Sequence, residues 1–245
     1  MRNTTRFVLA AVGGYTLLQM LGRRAGSTHG ERTGTMPGDE IIPKPSIITD
    51  HATTIDAPPT VVWPWLTQMG WHLGGWYTPR WVDRLLFPNN WPSLNRLDAA
   101  LMRDLRPGDT IPDGPPETAY FVVREAAPPR ALVMYSDTHL PPDWREKLNV
   151  GISWTWSLQL TALPDERTRL QLRVRGRTRP WWLTACYVAV IVPADFVMAT
   201  GMLRGIKRRA ESAPVVSRWP SPVAVTDRSS QNGYVAYGLM SPEGR

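Results

Sequence analysis

The chain has 245 residues, a formal net charge of +7 and a hydrophobic fraction of 42%, enough for the core of one large domain or two small ones. Its single cysteine, Cys186, excludes an intrachain disulfide and a cysteine-based zinc site, and its apolar neighbours predict a small buried side chain. The positive charge does not indicate nucleic-acid binding, because the arginines are scattered and no helix-turn-helix, zinc-finger or RNA-binding signature accompanies them.

The first predicted element is an apolar helix within residues 1–24. Its apolar stretch, Phe7 to Leu21, has arginines on both sides, and its fifteen residues are fewer than the ~20 that cross a bilayer. Three interpretations stay open: a marginal membrane anchor, an interfacial helix, or a helix docked on the domain. We favour contact with a membrane. Residues 25–45, rich in Gly, Thr, Arg and Pro, are predicted to be a linker.

A folded domain is predicted from residue 46 to residue 212. Hydrophobic spacing and turn residues predict two short helices, one beginning at Pro59 and ending before Gly70, the other over Pro79–Leu86. Alternation and turn signals predict the strands. They cover Ser46–Asp56, Thr110–Pro112, Ala119–Arg124, Ala131–Ser136, Gly151–Thr161 and Thr168–Arg177.

The last two strands carry the clearest pattern in the chain. Apolar residues, among them Trp154 and Trp156, alternate strictly with polar ones in Gly151–Thr161, and Thr168–Arg177 repeats the pattern with arginines in the polar positions. Because successive side chains of a strand point to opposite faces, the pattern predicts a sheet with one buried apolar face and one face in water.

A long helix is predicted after Pro180, kinked or restarted at Pro193. Residues 181–203 contain one ionisable side chain, Asp195, so a transmembrane helix is an alternative. Pro193 and Asp195 at the centre of the stretch favour a buried helix, because a charge in the middle of a bilayer is costly. Residues 213–245, rich in Pro, Ser, Gly and polar side chains, are predicted to be a disordered tail.

The order of these elements predicts an α+β fold of the helix-grip type. A curved antiparallel β-sheet wraps around the long C-terminal helix, the one element able to cover its apolar face, and the two short helices close one end. Such an arrangement leaves a volume between sheet and helix. We expect that volume to be an apolar cavity.

A set of short motifs runs from residue 36 to about residue 211. They are Met36-Pro37-Gly38-Asp39-Glu40, Ile55-Asp56-Ala57-Pro58-Pro59, Val62-Trp63-Pro64-Trp65-Leu66, Gln68-Met69-Gly70-Trp71, Gly75-Trp76-Tyr77, Pro107-Gly108-Asp109, Ser153-Trp154, Thr168-Arg169-Leu170, Asp195-Phe196-Val197-Met198 and Met202-Leu203-Arg204-Gly205-Ile206-Lys207-Arg208-Arg209-Ala210-Glu211. Together they resemble the SRPBCC superfamily, the START-like and birch-pollen-allergen-like helix-grip proteins, and in particular a bacterial branch of it.

The resemblance implies an apolar cavity for lipids, polyketides, sterols or similar molecules, and it does not imply catalysis, since many members only bind or carry. The chain departs from the family pattern at one place. Where an acidic residue is expected soon after Gly-Trp-Tyr, this sequence has Thr78-Pro79-Arg80.

Metal and nucleophilic chemistry find little support in the sequence. The four histidines are dispersed without ligand spacing and are predicted to be surface side chains. They are His29, His51, His72 and His139. No Gly-x-Ser-x-Gly motif and no phosphate-cradling glycine loop is present. We therefore predict no metal and no cofactor.

An acid or base inside the cavity would be needed by a polyketide cyclase or aromatase. The candidates are Tyr77, Asp83, Tyr120 and Asp195. Asp83 is assigned instead to capping its short helix or pairing with a neighbouring arginine. Asp195 is assigned to the start of a helix after Pro193, where the helix dipole favours a carboxylate. We assign no catalytic residue.

Large aromatic and methionine side chains are the stronger signal, because the chain has twelve tryptophans and small-molecule pockets are mostly apolar with a few polar groups. The residues predicted to line the cavity are Trp65, Met69, Trp76, Tyr77, Trp81, Tyr120, Trp154, Trp156, Phe196 and Met202. A tryptophan-rich core is the alternative. Of Trp154 and Trp156, which share a strand face, one is expected to line the cavity and the other to pack.

Three functions remain open at this point. The first is a non-enzymatic protein that binds or carries a hydrophobic, lipid-like or polyketide-like small molecule near the membrane. The second is a cyclase or dehydratase on the same fold, and the third a membrane-tethered structural or interaction protein whose cavity is filled by its own tryptophans. We expect a cytoplasmic protein whose partners are that small molecule and a membrane surface contacted through Phe7 to Leu21.

Overall fold

Six antiparallel strands form one sheet in a computed structural model that describes residues 2–86 and 88–212. The strands are β1 (Ile47–Ile55), β2 (Thr110–Pro112), β3 (Tyr120–Ala127), β4 (Ala131–Ser136), β5 (Gly151–Leu163) and β6 (Arg167–Arg179). Their order across the sheet is β1-β6-β5-β4-β3-β2. The first strand therefore pairs with the last, and β2 lies at the opposite edge. The predicted tail, 213–245, lies outside the described residues.

Seven α-helices accompany the sheet in the described part of the chain. They are α1 (Arg2–Arg24), α2 (His29–Thr33), α3 (Pro59–Thr67), α4 (Arg80–Leu86), α5 (Pro142–Leu148), α6 (Trp181–Cys186) and α7 (Val192–Ser212). The helices predicted at Pro59 and at Pro79–Leu86 correspond to α3 and α4. No helix was predicted at α5, whose seven residues place only Trp144 and Leu148 on one face, too short a pattern to indicate a helix.

The long β5–β6 hairpin is the centre of the sheet. Its register places Trp156 opposite Val174 and Leu158 opposite Leu172, so the apolar residues of both strands share one face. That face packs on α3 and α7, and the buried core between them includes Val62, Leu66 and Ile206. The α+β helix-grip fold predicted from the sequence is confirmed.

A π-helical segment, Tyr187–Ile191, joins α6 to α7. The irregularity was expected at Pro193 and lies one turn before it. Proline has no N–H to donate to the carbonyl of Ala189, and the N–H of Val192 donates to Tyr187 and so bypasses Val188. Helix α1 uses both carbonyls: the Tyr15 hydroxyl donates to Ala189 O at 2.9 Å, and Gln19 Nε2 donates to Val188 O at 2.6 Å.

The continuous run of α6, the π segment and α7 is long and apolar enough to cross a membrane by length and composition. Its inward face packs against the rest of the domain, because Ala199, Met202, Leu203 and Ile206 are buried in the core. Near its start the run is more exposed. Leu183 is the buried residue of α6, and Cys186, predicted to be buried, is exposed.

Residues 25–45, expected to be a linker, pack along the outer face of the sheet. Their carboxylates bind the arginines of β6: Glu31 lies 2.7 Å from Arg169, and Asp39 lies 2.8 Å from Arg173. Thr155 and Ser157 are buried under this segment. The prediction that this face is in water is therefore wrong for the central strands, because regularly spaced arginines bind the preceding segment there.

Candidate ligand-binding cavity

A cavity of about 390 Å³ lies between the inner face of the sheet, α7 and the loop that carries Trp76. Its wall is mainly apolar. The large side chains that line it are Trp76, Phe121, Trp154, Trp156, Val174 and Met202. The cavity reaches the protein surface beside the π segment, because Ile191 both lines it and is exposed.

Three aromatic side chains form the inner end of the cavity. The ring centroid of Trp76 lies 5.6 Å from that of Trp156 and 5.9 Å from that of Phe121, in edge-to-face arrangements. Phe121 and Trp156 lie 5.1 Å apart. These separations are typical of stabilising aromatic pairs, so the rings hold one another in place and form a fixed wall.

Trp154 lies nearer the opening. It is paired across the strands with Gly176, and a Cβ atom at that glycine would lie 1.9 Å from the Trp154 ring. The glycine therefore leaves room for the indole to lie flat over the neighbouring strand. On its other side the ring contacts Tyr187 of the π segment, 5.4 Å between centroids. Trp154 and Trp156 both line the cavity, whereas one of them was expected to pack in the core.

A first polar cluster on the wall joins β2 to the segment after β4. His139 Nε2 lies 2.8 Å from Asp113 Oδ2, and His139 Nδ1 lies 2.8 Å from the Ser136 hydroxyl. Burial raises the pKa of the Asp113 carboxyl, while the hydrogen bond and the charge of His139 and the indole of Trp76 act in the opposite direction. The imidazole is held at both nitrogens, so Asp113 is the member of the cluster that is available to a ligand.

A second polar cluster comes from α7 and β1. The Thr49 hydroxyl donates to Asp195 Oδ2 at 3.0 Å, and His51 Nε2 lies 3.4 Å from the same oxygen. Asp195 and Thr49 line the cavity. His51 is fully buried behind them, so its assignment to the surface was wrong. His51 points to the same inner face of β1 as Thr49, two residues earlier. The Asp195 carboxylate of α7 lies beside it.

Four of the ten residues predicted to line the cavity do so: Trp76, Trp154, Trp156 and Met202. Trp65, Met69 and Tyr77 lie in the core instead, where the Tyr77 hydroxyl donates to Trp65 O at 2.9 Å. Trp81 is 60% exposed on α4. Tyr120 and Phe196 are half-buried and outside the lining.

The core position of Tyr77 has a local cause. A Cβ atom at Gly205 of α7 would lie 1.9 Å from the Tyr77 carbonyl oxygen, so the helix and this loop approach to backbone contact. The same loop places Thr78 on the cavity wall. The hydroxyl of Thr78 contacts the carboxylate of Asp83, which also accepts from the Ser93 hydroxyl at 3.4 Å. Asp83 thus holds this loop.

Asp113 and His139 were missed as site residues. They are 26 residues apart in sequence, and neither has a motif around it. The pairing arises because β2 and the segment after β4 both flank β3, which no local pattern reveals. Asp195 was considered. It follows the π segment within a continuous helical run and so has no free helix N-terminus beside it, and its carboxylate lies in the largely apolar cavity wall. Among the described residues no group of three or more His, Cys, Asp or Glu could hold a metal ion.

Fold and site together define a helix-grip protein with an internal, largely apolar cavity and two carboxylate-bearing clusters on its wall. No family model and no curated protein matches the sequence.

Solved structures with a similar course of the chain include three bacterial proteins. MLL2253 from Mesorhizobium loti is 15% identical, with 69% of this chain and 100% of that chain covered and a TM-score of 0.40. CalU16 from Micromonospora echinospora is 20% identical, covering 66% and 82%, with a TM-score of 0.30. The Helicobacter pylori hypothetical protein jhp0584 is 9% identical, covering 73% and 97%, with a TM-score of 0.42. The fold assignment rests on the strand order and helix packing described above.

Proposed function

We propose that this protein binds and carries an apolar small molecule, of the lipid or polyketide kind, in the cavity between its sheet and α7. The observation that carries the proposal is the cavity itself. Its volume of about 390 Å³ lies within the ~300–1,000 Å³ range of small-molecule sites, and its wall combines aromatic side chains with a few polar groups.

The charge of those polar groups narrows the class of ligand. Asp113 and Asp195 are carboxyl groups, which accept hydrogen bonds and repel anions when ionised. A ligand with hydroxyl or amine donors fits them, whereas a free fatty acid or a phosphate would place like charges together. We therefore propose a neutral, hydroxylated apolar molecule such as a sterol-like or polyketide-like ring system.

A variant that fills the cavity tests this proposal. Ala199 of α7 is buried and lines the cavity, and Ala185 is exposed on α6. Ala199→Phe should strongly reduce binding of the neutral fluorescent probe Nile red and remove any apolar molecule that native mass spectrometry finds on the wild-type protein. Ala185→Phe should change neither.

The same measurements distinguish the alternatives. Retention of the probe by Ala199→Phe, with a wild-type circular dichroism spectrum, would remove the cavity as the binding site. A wild-type protein that carries no molecule and binds no probe would support a structural role, with tryptophans filling the space. Trp156→Ala should weaken retention by roughly tenfold, because a ring that contacts the ligand is lost.

A second candidate function, a cyclase or dehydratase, is favoured by the Asp113–His139 pair on the cavity wall. In a bound poly-β-ketone, the Asp113 carboxylate would remove a proton from a carbon between two carbonyl groups. The resulting carbanion would attack a second carbonyl carbon, forming a C–C bond, and the alkoxide would take the proton back from Asp113. That bond closes a ring, and loss of water, the hydroxyl leaving with a proton from the neighbouring carbon, would then form a C=C bond in it. His139 would position the carboxylate.

Incubation with a synthetic linear polyketone, followed by absorbance of the ring product, tests this second function. Turnover that falls by about 10²-fold or more in Asp113→Asn would support it, since that is what a general base contributes. Ser136→Ala, which frees His139 Nδ1, should shift the pH profile of any such turnover. No turnover above the buffer reaction would leave binding as the function.

A further inference from the structure

Helix α1 exposes apolar side chains around its whole circumference. Successive residues of a helix are about 100° apart, so a run of exposed apolar positions this dense covers every side. The exposed large side chains are Phe7, Leu9, Val12, Tyr15, Leu17, Leu18 and Met20. A Cβ atom at Gly13 or Gly14 would meet nothing within 4 Å. A helix that exposes this much apolar surface is suited to a membrane interface, where that surface leaves water.

A second set of exposed apolar side chains lies at the start of the C-terminal helical run. They are Trp181, Trp182, Val190 and Ile191, of which Trp181 is 80% exposed. The two sets are joined, because Tyr15 and Gln19 of α1 bond to the carbonyls of Ala189 and Val188. We call the two sets together the apolar surface.

Basic residues surround the apolar surface, and acidic ones are absent from the sequence around it. Arg6 and Arg24 are exposed near the two ends of α1, and Arg177 and Arg179 are exposed just before α6. No Asp or Glu occurs in residues 1–30 or 167–194. An apolar area with basic side chains in its flanking sequence complements an anionic lipid headgroup layer.

We propose that the apolar surface docks this protein on an anionic membrane, with α1 lying along the boundary between headgroups and acyl chains. The fifteen residues from Phe7 to Leu21 extend about 22 Å, less than the ~30 Å hydrocarbon core. Arg6 and Arg24 lie near opposite ends of the helix, and an orientation in the plane of the membrane brings both to the headgroups of one leaflet. Trp181 and Trp182 have the amphipathic ring that this boundary favours.

The docking surface adjoins the cavity. Ile191 belongs to both, and Tyr187, one turn earlier, lines the cavity beside Trp154. The membrane is therefore the source of the cavity's ligand, or the place to which it is delivered. This second statement rests on the proposed function; the docking itself does not.

Flotation of the full chain with lipid vesicles tests the docking. The wild-type protein should float with phosphatidylcholine vesicles that contain phosphatidylglycerol, and float less in high salt or without the anionic lipid. Leu9→Glu should lower the bound fraction on the order of tenfold. Leu85→Glu is the matched control, because Leu85 is 71% exposed on α4 against 66% for Leu9, and it should leave binding unchanged.

Several outcomes would overturn the docking. Wild-type protein that stays at the bottom of the gradient, or equal binding by Leu9→Glu and Leu85→Glu, would do so. A dimer in sedimentation velocity that Leu9→Glu dissociates, without flotation of the wild type, would assign the surface to a second copy of the chain. Val190→Glu repeats the test at the other set if Leu9→Glu fails to fold.

The docking and the proposed function fail separately. Loss of flotation with the cavity still holding its molecule in native mass spectrometry would overturn the docking alone. Flotation by a protein that binds neither a native molecule nor Nile red would overturn the proposed function alone, together with the role of the membrane as its ligand source.

Discussion

Arg173 is the side chain on which the outer layer of the molecule depends most. It is 3% exposed, although it stands on the polar face of β6. Its guanidinium lies 2.6 Å from Asp50 and 2.8 Å from Asp39, and it also donates to the carbonyls of Gly34 and Glu31. The guanidinium group is planar and has five N–H donors, so it can bond to all of these acceptors at once. An ammonium group could not.

Removing the guanidinium should therefore be strongly destabilising. Arg173→Ala is expected to lower the free energy of unfolding by about 3–5 kcal/mol, because it leaves the buried Asp50 carboxylate without its partner and Asp39 with Arg175 alone. Arg177→Ala, on the same face of the strand but exposed, should stay within about 0.5 kcal/mol of wild type. Urea denaturation measures both. Equal effects of the two changes would contradict this account of the outer layer.

Glu31 makes this layer sensitive to acid. The hydrogen bond from Arg169 lowers the pKa of its carboxyl from 4.5 to about 2. Because the pKa is lower in the folded chain, the stabilisation is complete above 4.5 and is lost as the pH falls through that value towards 2. At neutral pH, Glu31→Gln should be less stable than wild type by about 2 kcal/mol, as for a hydrogen bond to a charged group.

The gap between wild type and Glu31→Gln should narrow in urea denaturation as the pH falls from 4.5 towards 2. Glu146→Gln is the control, since Glu146 is exposed on α5, and it should follow the wild-type curve. A gap that stays constant over this range would show that the Glu31 charge is not what holds the segment.

At the scale of elements, the contact between α1 and the C-terminal helical run depends on a close backbone approach. A Cβ atom at Gly22 would lie 2.1 Å from the carbonyl oxygen of Val192. Because this is a clash with backbone, only a shift of one of the two helices would relieve it. The π segment beside this crossing supplies the two carbonyls that Tyr15 and Gln19 use. One irregular turn therefore supplies the acceptors that hold α1 against the C-terminal helical run.

Two glycines of α1 give a matched test of this crossing. Gly22→Ala should separate α1 from Val192 and speed amide hydrogen exchange in the contacting turn by tenfold or more, on the order of 1–2 kcal/mol of local stability. Gly13→Ala meets no neighbour and should slow exchange in α1, since alanine is the better helix former by about 1 kcal/mol. Identical exchange in the two variants would rule out the crossing.

The elements themselves were largely predictable, for reasons that are local. Period-two alternation placed β5 and β6, and an apolar helical face with its flanking prolines placed α3 and the long helix. Helix α5 and the exact place of the π segment were missed. The position of the π segment depends on which N–H groups bond to the Tyr187 carbonyl. Packing against α1 determines that bonding over a single turn.

For the whole molecule, the sequence predicted the layers of the fold but only part of the site. Trp154, Trp156 and Met202 line the cavity because a strand face or helix face decides their direction, and Trp76 lines it from a loop. Trp65 and Tyr77 lie in the core, since a large aromatic residue fits core and pocket equally well until its neighbours are known.

The packing of the outer layer on the sheet was likewise not predictable from the sequence. Segment 25–45 has the composition of a linker, yet its few carboxylates match arginines at alternate positions of a strand more than a hundred residues later. Polar complementarity between distant parts of a chain leaves no periodic signal in either part. The Asp113–His139 pair escaped notice for the same reason.

The exposed thiol of Cys186 lies between Trp182 and Val190 in sequence, and no other cysteine occurs in the chain. Cys186 is therefore a unique attachment point for a probe, next to the surface proposed to bind lipid. An environment-sensitive fluorophore coupled there should shift its emission to the blue when anionic vesicles are added, and Leu9→Glu should suppress the shift. A fluorophore on Cys186 can thus report insertion into the membrane without any change to the sequence.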